Sequence, residues 1–210
     1  MSINTPAEVF PANPGQNGMV VGVVADTHIP DRVNTLHPDL LDALRSAGVE
    51  KILHAGDICA PAALNALSQV APVTAVRGNR DWLFVGSLPM VRRIMINGVP
   101  VVLLHGHGRP SEYFQSKIWY TLRGYAFDYF APVLRSVRGA ARVVVFGHSH
   151  YPENRWENGC LYFNPGAASY NVKTDESSFG LLRIGPGGQL AGEIVPLRRI
   201  PVLRRTWQVD

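Results

Sequence analysis

The stretch that most constrains this chain is Val143-Val144-Val145-Phe146-Gly147-His148-Ser149-His150, a β-branched run that stops at a glycine and hands over to two histidines. In an extended backbone residues i and i+2 project to the same side, so the spacing directs His148 and His150 into one cavity at the strand's end. Met19-Val20-Val21-Gly22-Val23-Val24 repeats the device, leading through Ala25 to Asp26 and His28. Three further runs end in single donors: Lys51-Ile52-Leu53-His54 leads to Asp57, Val73-Thr74-Ala75-Val76 to Asn79, and Val101-Val102-Leu103-Leu104 to His105-Gly106-His107. Five hydrophobic runs ending in His, Asp or Asn, four with glycine alongside, are hard to obtain by chance. They predict strand ends gathered on one rim.

The rest of the chain limits what that rim belongs to. At 210 residues there is enough chain for one well-filled core and too little for two comfortable ones. With 46% hydrophobic and 17% charged residues the composition is that of a globular protein, and no run approaches the roughly 18 apolar residues of a membrane span. Residues 1–18 are rich in Pro, Asn and Gly, with neither a basic start nor an apolar core. They read as a flexible N-terminal extension rather than a secretory signal, leaving 19–210 as a single domain. Cys59 and Cys160 lie about a hundred positions apart in no metal-type spacing, which fits a reducing cytoplasm. The net charge of +4 is mild but uneven, with four arginines in the eight residues 198–205. That tail reads as a solvated segment or a charged strand edge, or as a contact for a phosphate-bearing polymer or a partner subunit. Without a broad basic stripe, long nucleic acid is not the expected substrate.

Taken in order, the segment 29–35 is turn-like. Residues 38–46 space Leu40, Leu41 and Leu44 on one helical face and close at Gly48. A strand at 51–54, a short helix opening at Pro61 and a strand at 73–76 complete a βαβαβ order, which argues for a layered sheet with helical crossovers. Asn97-Gly98 between two apolar runs is a hairpin signal. Residues 111–130 carry eight aromatic rings, readable as core packing or as a lid stacking on a planar leaving group. A helix over 132–139, strands at 160–163, 180–184 and 190–195, and a turn at Asn164-Pro165-Gly166 complete the reading.

Asp26, His28, Asp57, Asn79, His105, His148 and His150 make seven oxygen or nitrogen donors with no thiolate. Seven exceed one tetrahedral zinc and suit two borderline divalent ions sharing a carboxylate, for which Asp57 is the choice because its strand lies between the other ligand-bearing ends. Two ions about 3.5 to 4 Å apart would bind a phosphoryl group, acidify a bridging water into the attacking hydroxide, and stabilise both oxygens of an in-line displacement.

The blocks Asp26-Thr27-His28, Gly56-Asp57-Ile58, Gly78-Asn79-Arg80-Asp81, His105-Gly106-His107 and Gly147-His148-Ser149-His150 resemble, in order and spacing, the five motifs of the calcineurin-like metallophosphoesterases. They are most similar to the small bacterial and archaeal phosphodiesterases that share a fold with the retromer scaffold subunit. The resemblance covers residues 19–195. It implies an α/β fold, an αββα sandwich of two mixed β-sheets flanked by helices. It also implies that Asp26, His28, Asp57 and His150 hold one metal, and Asp57, Asn79, His105 and His148 the other. Manganese is the leading ion, with Ni, Fe, Co and Zn as alternatives. His54 and His107 sit where such enzymes place histidines that orient a carboxylate or the bound phosphate, and Asn79, Arg80 and His107 are the residues expected to act on the phosphoryl group. Asp81 reads as the structural partner of a basic group or as a catalytic acid, and His37 as ordinary surface.

The sequence departs from the family pattern at Arg80, where relatives often carry histidine or cysteine. An arginine cannot donate a proton near neutrality but can hold a phosphoryl oxygen. That points to a small phosphodiester or aryl ester as substrate. A second departure is Ala167-Ala168-Ser169 after the Asn164-Pro165-Gly166 turn, where serine usually follows the glycine directly; contact of Ser169 with phosphate is therefore not expected. The competing readings are a phosphomonoesterase, an oligonucleotide-directed nuclease, or a non-catalytic retromer-like scaffold, and a homo-oligomer is compatible with each.

Overall fold

The computed structural model describes residues 18–81, 85, 87–171, 174 and 176–209. The extension anticipated over 1–18 thus lies outside the described residues, Gly18 excepted. Two mixed five-stranded sheets face one another. The first runs in the order β10 (Leu190–Pro196), β9 (Ser178–Ile184), β1 (Met19–Val24), β2 (Lys51–His54), β3 (Val73–Ala75). The second runs β4 (Val91–Ile96), β5 (Val99–Leu104), β6 (Val143–Val145), β8 (Cys160–Asn164), β7 (Glu153–Glu157). Strand alternation explains the layers. Val21 and Val23 of β1, Val101 and Leu103 of β5, Val143 and Val145 of β6, and Leu161 and Phe163 of β8 meet between the sheets. Their neighbours Val20 and Val24 face outward onto α1 (Leu40–Ser46) and α2 (Pro61–Ser68) through Leu40, Leu44 and Leu67. Val102, Val144 and Tyr162 face α4 (Ala131–Arg138) and the 3-10 turn Phe127–Tyr129, through Leu134, Phe127 and Phe130. Helices therefore cover both outer faces.

The topology makes the site. β1, β2 and β3 are mutually parallel, as are β5, β6 and β8, so both sheets deliver their C-terminal ends to the same rim. The loops there are stitched together: Asp26 N donates to Gly56 O (3.0 Å), His28 N to Asp57 O (3.0 Å) and Gly147 N to His105 O (3.1 Å). His148 N donates to Asp26 Oδ2 (3.0 Å) and so joins the two sheets.

Three sequence expectations need correction here. The strand β7 was not anticipated; Glu-Asn-Arg-Trp-Glu lacks an apolar face because it forms an edge, paired only with β8. The arginine-rich tail is neither loose nor an edge of either large sheet. It folds as a hairpin, β11 (Val202–Leu203) and β12 (Thr206–Trp207), lying on the segment after His28. His37 is buried, not surface: Nε2 donates to Arg198 O (2.9 Å), Nδ1 accepts from Asp39 N (3.2 Å), and the ring meets Trp207 edge-on. Among the described residues, no helix is long and apolar enough to cross a membrane.

Candidate metal centre

The donors do not sit on extended strands. β1 ends at Val24 and β6 at Val145, and Asp26, His28, Asp57, His148 and His150 all lie beyond strand ends at positive φ, between 48° and 68°. The extended i, i+2 argument thus named residues that share a cavity through a backbone it did not describe. Left-handed backbone is uncommon outside glycine and is tolerated best by Asn, Asp and His. Five such residues on one rim mark a place where geometry is held against local preference, as functional sites often are.

Two carboxylates and the rings converge as follows. His28 Nε2 lies 3.7 Å from Asp26 Oδ1 and 3.7 Å from Asp57 Oδ2, while His150 Nε2 is 3.3 Å from Asp26 Oδ1 and 3.2 Å from His28 Nε2. On the other side of Asp57, His105 Nε2 lies 3.4 Å from Oδ1 and 3.2 Å from Asn79 Oδ1. The His148 ring stands 5.1 Å from that of His105. Asp57 thus presents one oxygen to each half. The tautomer of His105 is fixed, because Nδ1 must donate to Ala55 O (2.7 Å), which leaves Nε2 as the inward nitrogen. Asp57 Oδ1 also accepts from Arg80 N (2.9 Å).

This cluster suits cations. Asp26 Oδ1 is buried and has no hydrogen-bond partner among the described residues, although the Nε2 atoms of His150 and His28 face it at 3.3 and 3.7 Å. The ligand atoms of Asp26, His28 and His150 lie within 4.8 Å of one another, as do those of Asp26, Asp57 and His105. Carboxylates and imidazoles without a thiolate fit borderline divalent ions. The electrostatics agree. Burial, reinforced by Asp57 and opposed by His105, pushes the Asp26 carboxyl up to about 7. Burial would raise Asp57 too, but His105 and His28 outweigh it and hold that carboxyl well below its usual range. Burial also brings His28 down to about 4 and His148 and His150 well below 6.5, leaving neutral rings able to accept a cation. His105 is the exception: despite burial, Asp57 raises it to about 9.

The supporting residues are placed differently from expectation. His54 touches neither carboxylate nor cavity: Gly56 N donates to its Nδ1 (3.2 Å), so Nε2 carries the proton and donates to Thr27 Oγ1 (3.2 Å). It ties the Asp26 and Asp57 loops together. Among the described residues Asp81 meets no basic group; its carboxylate accepts from the amides of Ile58 (2.8 Å), Cys59 (2.7 Å) and Gly78 (2.7 Å) and fixes the turns that carry Asp57 and Asn79. Arg80 is paired with Asp31, whose Oδ2 also lies 3.7 Å from His28 Nδ1. His107 packs its ring 5.4 Å from His105, and burial with the neighbouring His105 charge holds it down to about 4. Ser169 is buried with its backbone N on Asp26 O (3.3 Å) and does not line the cavity.

A cavity of about 350 Å³ opens over the cluster, between His28, Asp57, Asn79, His148 and His150 on one side and α3 (Pro110–Arg123) on the other. Tyr113 stands 5.5 Å from the His148 ring, and Tyr120, Lys117 and Ser116 share its wall. The aromatic segment therefore divides. Phe127 and Phe130 are core, Tyr113 and Tyr120 line the cavity, and Phe114, Ile118 and Leu122 are exposed on the helix's other face. Sequence reasoning missed Asp31, Arg32 and Asn171. The charged pair three positions after His28 was the available signal for the first two, whereas Asn171, which donates to His150 O (3.0 Å), carried none.

Comparison with known proteins bears on this cluster. The family model for the calcineurin-like phosphoesterase superfamily domain matches residues 19–186. A probable metallophosphoesterase of Methanothermobacter thermautotrophicus is 36% identical over 177 residues, covering 84% of this chain and 92% of that protein. Among solved structures, Vps29 of Entamoeba histolytica complexed with zinc superposes with a TM-score of 0.62 at 24% identity, over 85% of this chain and 99% of that one. A conserved predicted phosphoesterase of Streptococcus pneumoniae TIGR4 gives a TM-score of 0.53 at 17% identity, over 86% and 98%.

Proposed function

The chain belongs to the calcineurin-like phosphoesterase superfamily, and from that premise we propose that it is a phosphodiesterase working with two divalent ions, manganese foremost, on small phosphodiesters. The observation that carries this reading is Asp57, which turns one oxygen toward the Asp26, His28 and His150 group and the other toward Asn79 and His105. Residues Asp26, His28, Asp57 and His150 would hold one ion, and Asp57, Asn79, His105 and His148 the other. Such a pair supplies Lewis acidity toward a phosphoryl oxygen and a water acidic enough to act near neutral pH.

The chain's own groups do the rest. Asp81 and His54 lock the turns, so the donors are held in position before substrate arrives. α3 closes one wall of the cavity with Tyr113 and Tyr120, whose rings favour a planar leaving group over a bare alkyl chain. Arg80 stands where a proton donor is common in the superfamily, and a guanidinium keeps its proton at any working pH. This supports diesters and aryl esters, whose leaving groups need little protonation. Both cysteines are free and buried, in keeping with a reducing cytoplasm.

The test is metal-stripped protein reconstituted with Mn, Ni, Co, Zn or Mg and assayed on bis-p-nitrophenyl phosphate and p-nitrophenyl phosphate. Metal-dependent turnover with higher kcat/KM on the diester is the expected result. Faster hydrolysis of the monoester would replace the phosphodiesterase reading with a phosphomonoesterase. Two ions bound per chain without turnover of either would favour the scaffold.

A further inference from the structure

We propose that Arg32, held by the C-terminal hairpin, is the guanidinium that binds the phosphoryl oxygens in this site, an inference that rests on the phosphoesterase reading above. Arg32 follows His28 closely, and its backbone N donates to His28 O (2.8 Å). Its side chain is half-buried and lines the cavity beside His28, Asp57 and His150. Nη1 sits 3.3 Å from His150 Nδ1, and among the described residues no carboxylate comes within ion-pair distance of this guanidinium. Arg80, by contrast, already has its charge met by Asp31 and is 53% exposed. Of the two arginines that line the cavity among the described residues, Arg32 is the one whose charge is not already met by a carboxylate.

The contact with His150 is also one the working site cannot keep. Nε2 of His150 faces Asp26 Oδ1 and His28 Nε2. A neutral ring that gives Nε2 to a cation carries its proton on Nδ1, and there a donor would confront the donors of Arg32. The guanidinium then has no acceptor on the ring, and a phosphoryl group in the cavity supplies two in the planar spacing that a fork of N–H groups fits.

The arm that carries Arg32 is pinned on both sides from the far end of the chain. Arg205 Nη1 donates to Pro30 O (3.2 Å), Asn34 N donates to Arg205 O (2.7 Å), and Trp207 Nε1 donates to Thr35 O (3.1 Å). Ile29 and Val33 pack with Ile200 and Trp207 in one buried cluster. These strapping residues lie beyond the 19–186 span of the family match. A binding arginine held this way loses little freedom when its ligand arrives.

The test uses manganese-loaded protein and inorganic phosphate as the probe, with affinity from calorimetry and metal content from elemental analysis. R32Q should retain two ions per chain and bind phosphate about 10- to 100-fold more weakly, the usual worth of a charge-assisted pair. R32K should recover part of the loss, and R80Q should lose less than R32Q. Phosphate affinity in R32Q within twofold of wild type, a larger loss in R80Q, or no phosphate binding by the wild-type holoprotein would each overturn the assignment. So would loss of metal in R32Q, because Arg32 would then be a support for His150. A protein that binds phosphate through Arg32 but hydrolyses no diester would instead defeat the phosphodiesterase reading alone.

Discussion

Gly78→Ala tests the architecture more sharply than removing any ligand, because it leaves all seven donors in the chain. A Cβ built on Gly78 lands against the Asp57 carboxylate, 2.9 Å from Cγ and 2.5 Å from the Asp57 backbone nitrogen, where ordinary contact begins at 3.4 Å. Neither wall can yield separately. One Asp81 carboxylate fastens Gly78 N and Ile58 N together, and Arg80 N and His28 N hold Asp57 by its side chain and its carbonyl. The shortfall is therefore passed to Asp57 as a displacement of about 0.5 to 1 Å, and misplacing a reacting group by 1 Å costs on the order of 100-fold in rate. At 1.36 kcal/mol per tenfold that is about 2.7 kcal/mol of transition-state stabilisation, beside a folding cost of about 1–3 kcal/mol for overpacking.

The assay is metal content per chain, kcat/KM on bis-p-nitrophenyl phosphate and the urea midpoint, measured together. The companion is Gly98→Ala at the β4–β5 turn, where φ is +79° and nothing lies within 4 Å of the new Cβ. It should cost about 1 kcal/mol of stability through backbone strain and leave metal content and kcat/KM alone. A Gly78→Ala protein with two ions per chain and kcat/KM within threefold of wild type would refute the idea that the Asp57 position is set by these contacts.

Three further outcomes follow from the same contacts. Asp81→Asn keeps the shape but loses charge-assisted acceptance of three amides, so it should lower stability by about 3 kcal/mol in urea unfolding; a loss under 0.5 kcal/mol would contradict its structural role. Burial lowers His54 to about 3 against 6.5 in the unfolded chain, so metal-stripped protein should keep this contribution above pH 6.5 and lose it as pH falls from there toward 3. The slope is about 1.4 kcal/mol per pH unit for this group, and an equally steep slope in His54→Gln would show that the acid sensitivity comes from elsewhere. Trp207→Ala should destabilise by about 3–5 kcal/mol and raise hydrogen exchange at the Arg32, Val33 and Asn34 amides before the β-sheet amides; a uniform rise would mean the hairpin does not hold that arm specifically.

What the sequence made legible were features with a local period or a local signature. Apolar runs ending in donors gave β1, β2, β3, β5 and β6 and named the rim, and Asn97-Gly98 marked the turn of the β4–β5 hairpin. The left-handed backbone at Asp26, His28, Asp57, His148 and His150 had no such signature, because its cause is tertiary: the amide of His148 reaches across to Asp26, and that of His28 to Asp57. The same limit hid the C-terminal hairpin. Its turn places Arg204 and Arg205 at positive φ, where Asn-Gly would have announced it, and its purpose appears only through partners such as Asn34 and Thr35, far away in the chain. Charge was an incomplete cue: all four arginines are exposed, as a solvated segment would have them, but that said nothing of the hairpin. Yet Arg198 grips Asp39 at 3.0 and 3.3 Å and Arg205 caps Pro30 O, so at least two of the four bind the chain's own loops. A cluster of like charges says nothing of how its backbone is held until the topology supplies carboxylates and carbonyls opposite it. Here it does so beside the loop that carries Asp31 and Arg32, which links the last residues of the chain to the first donors of the site.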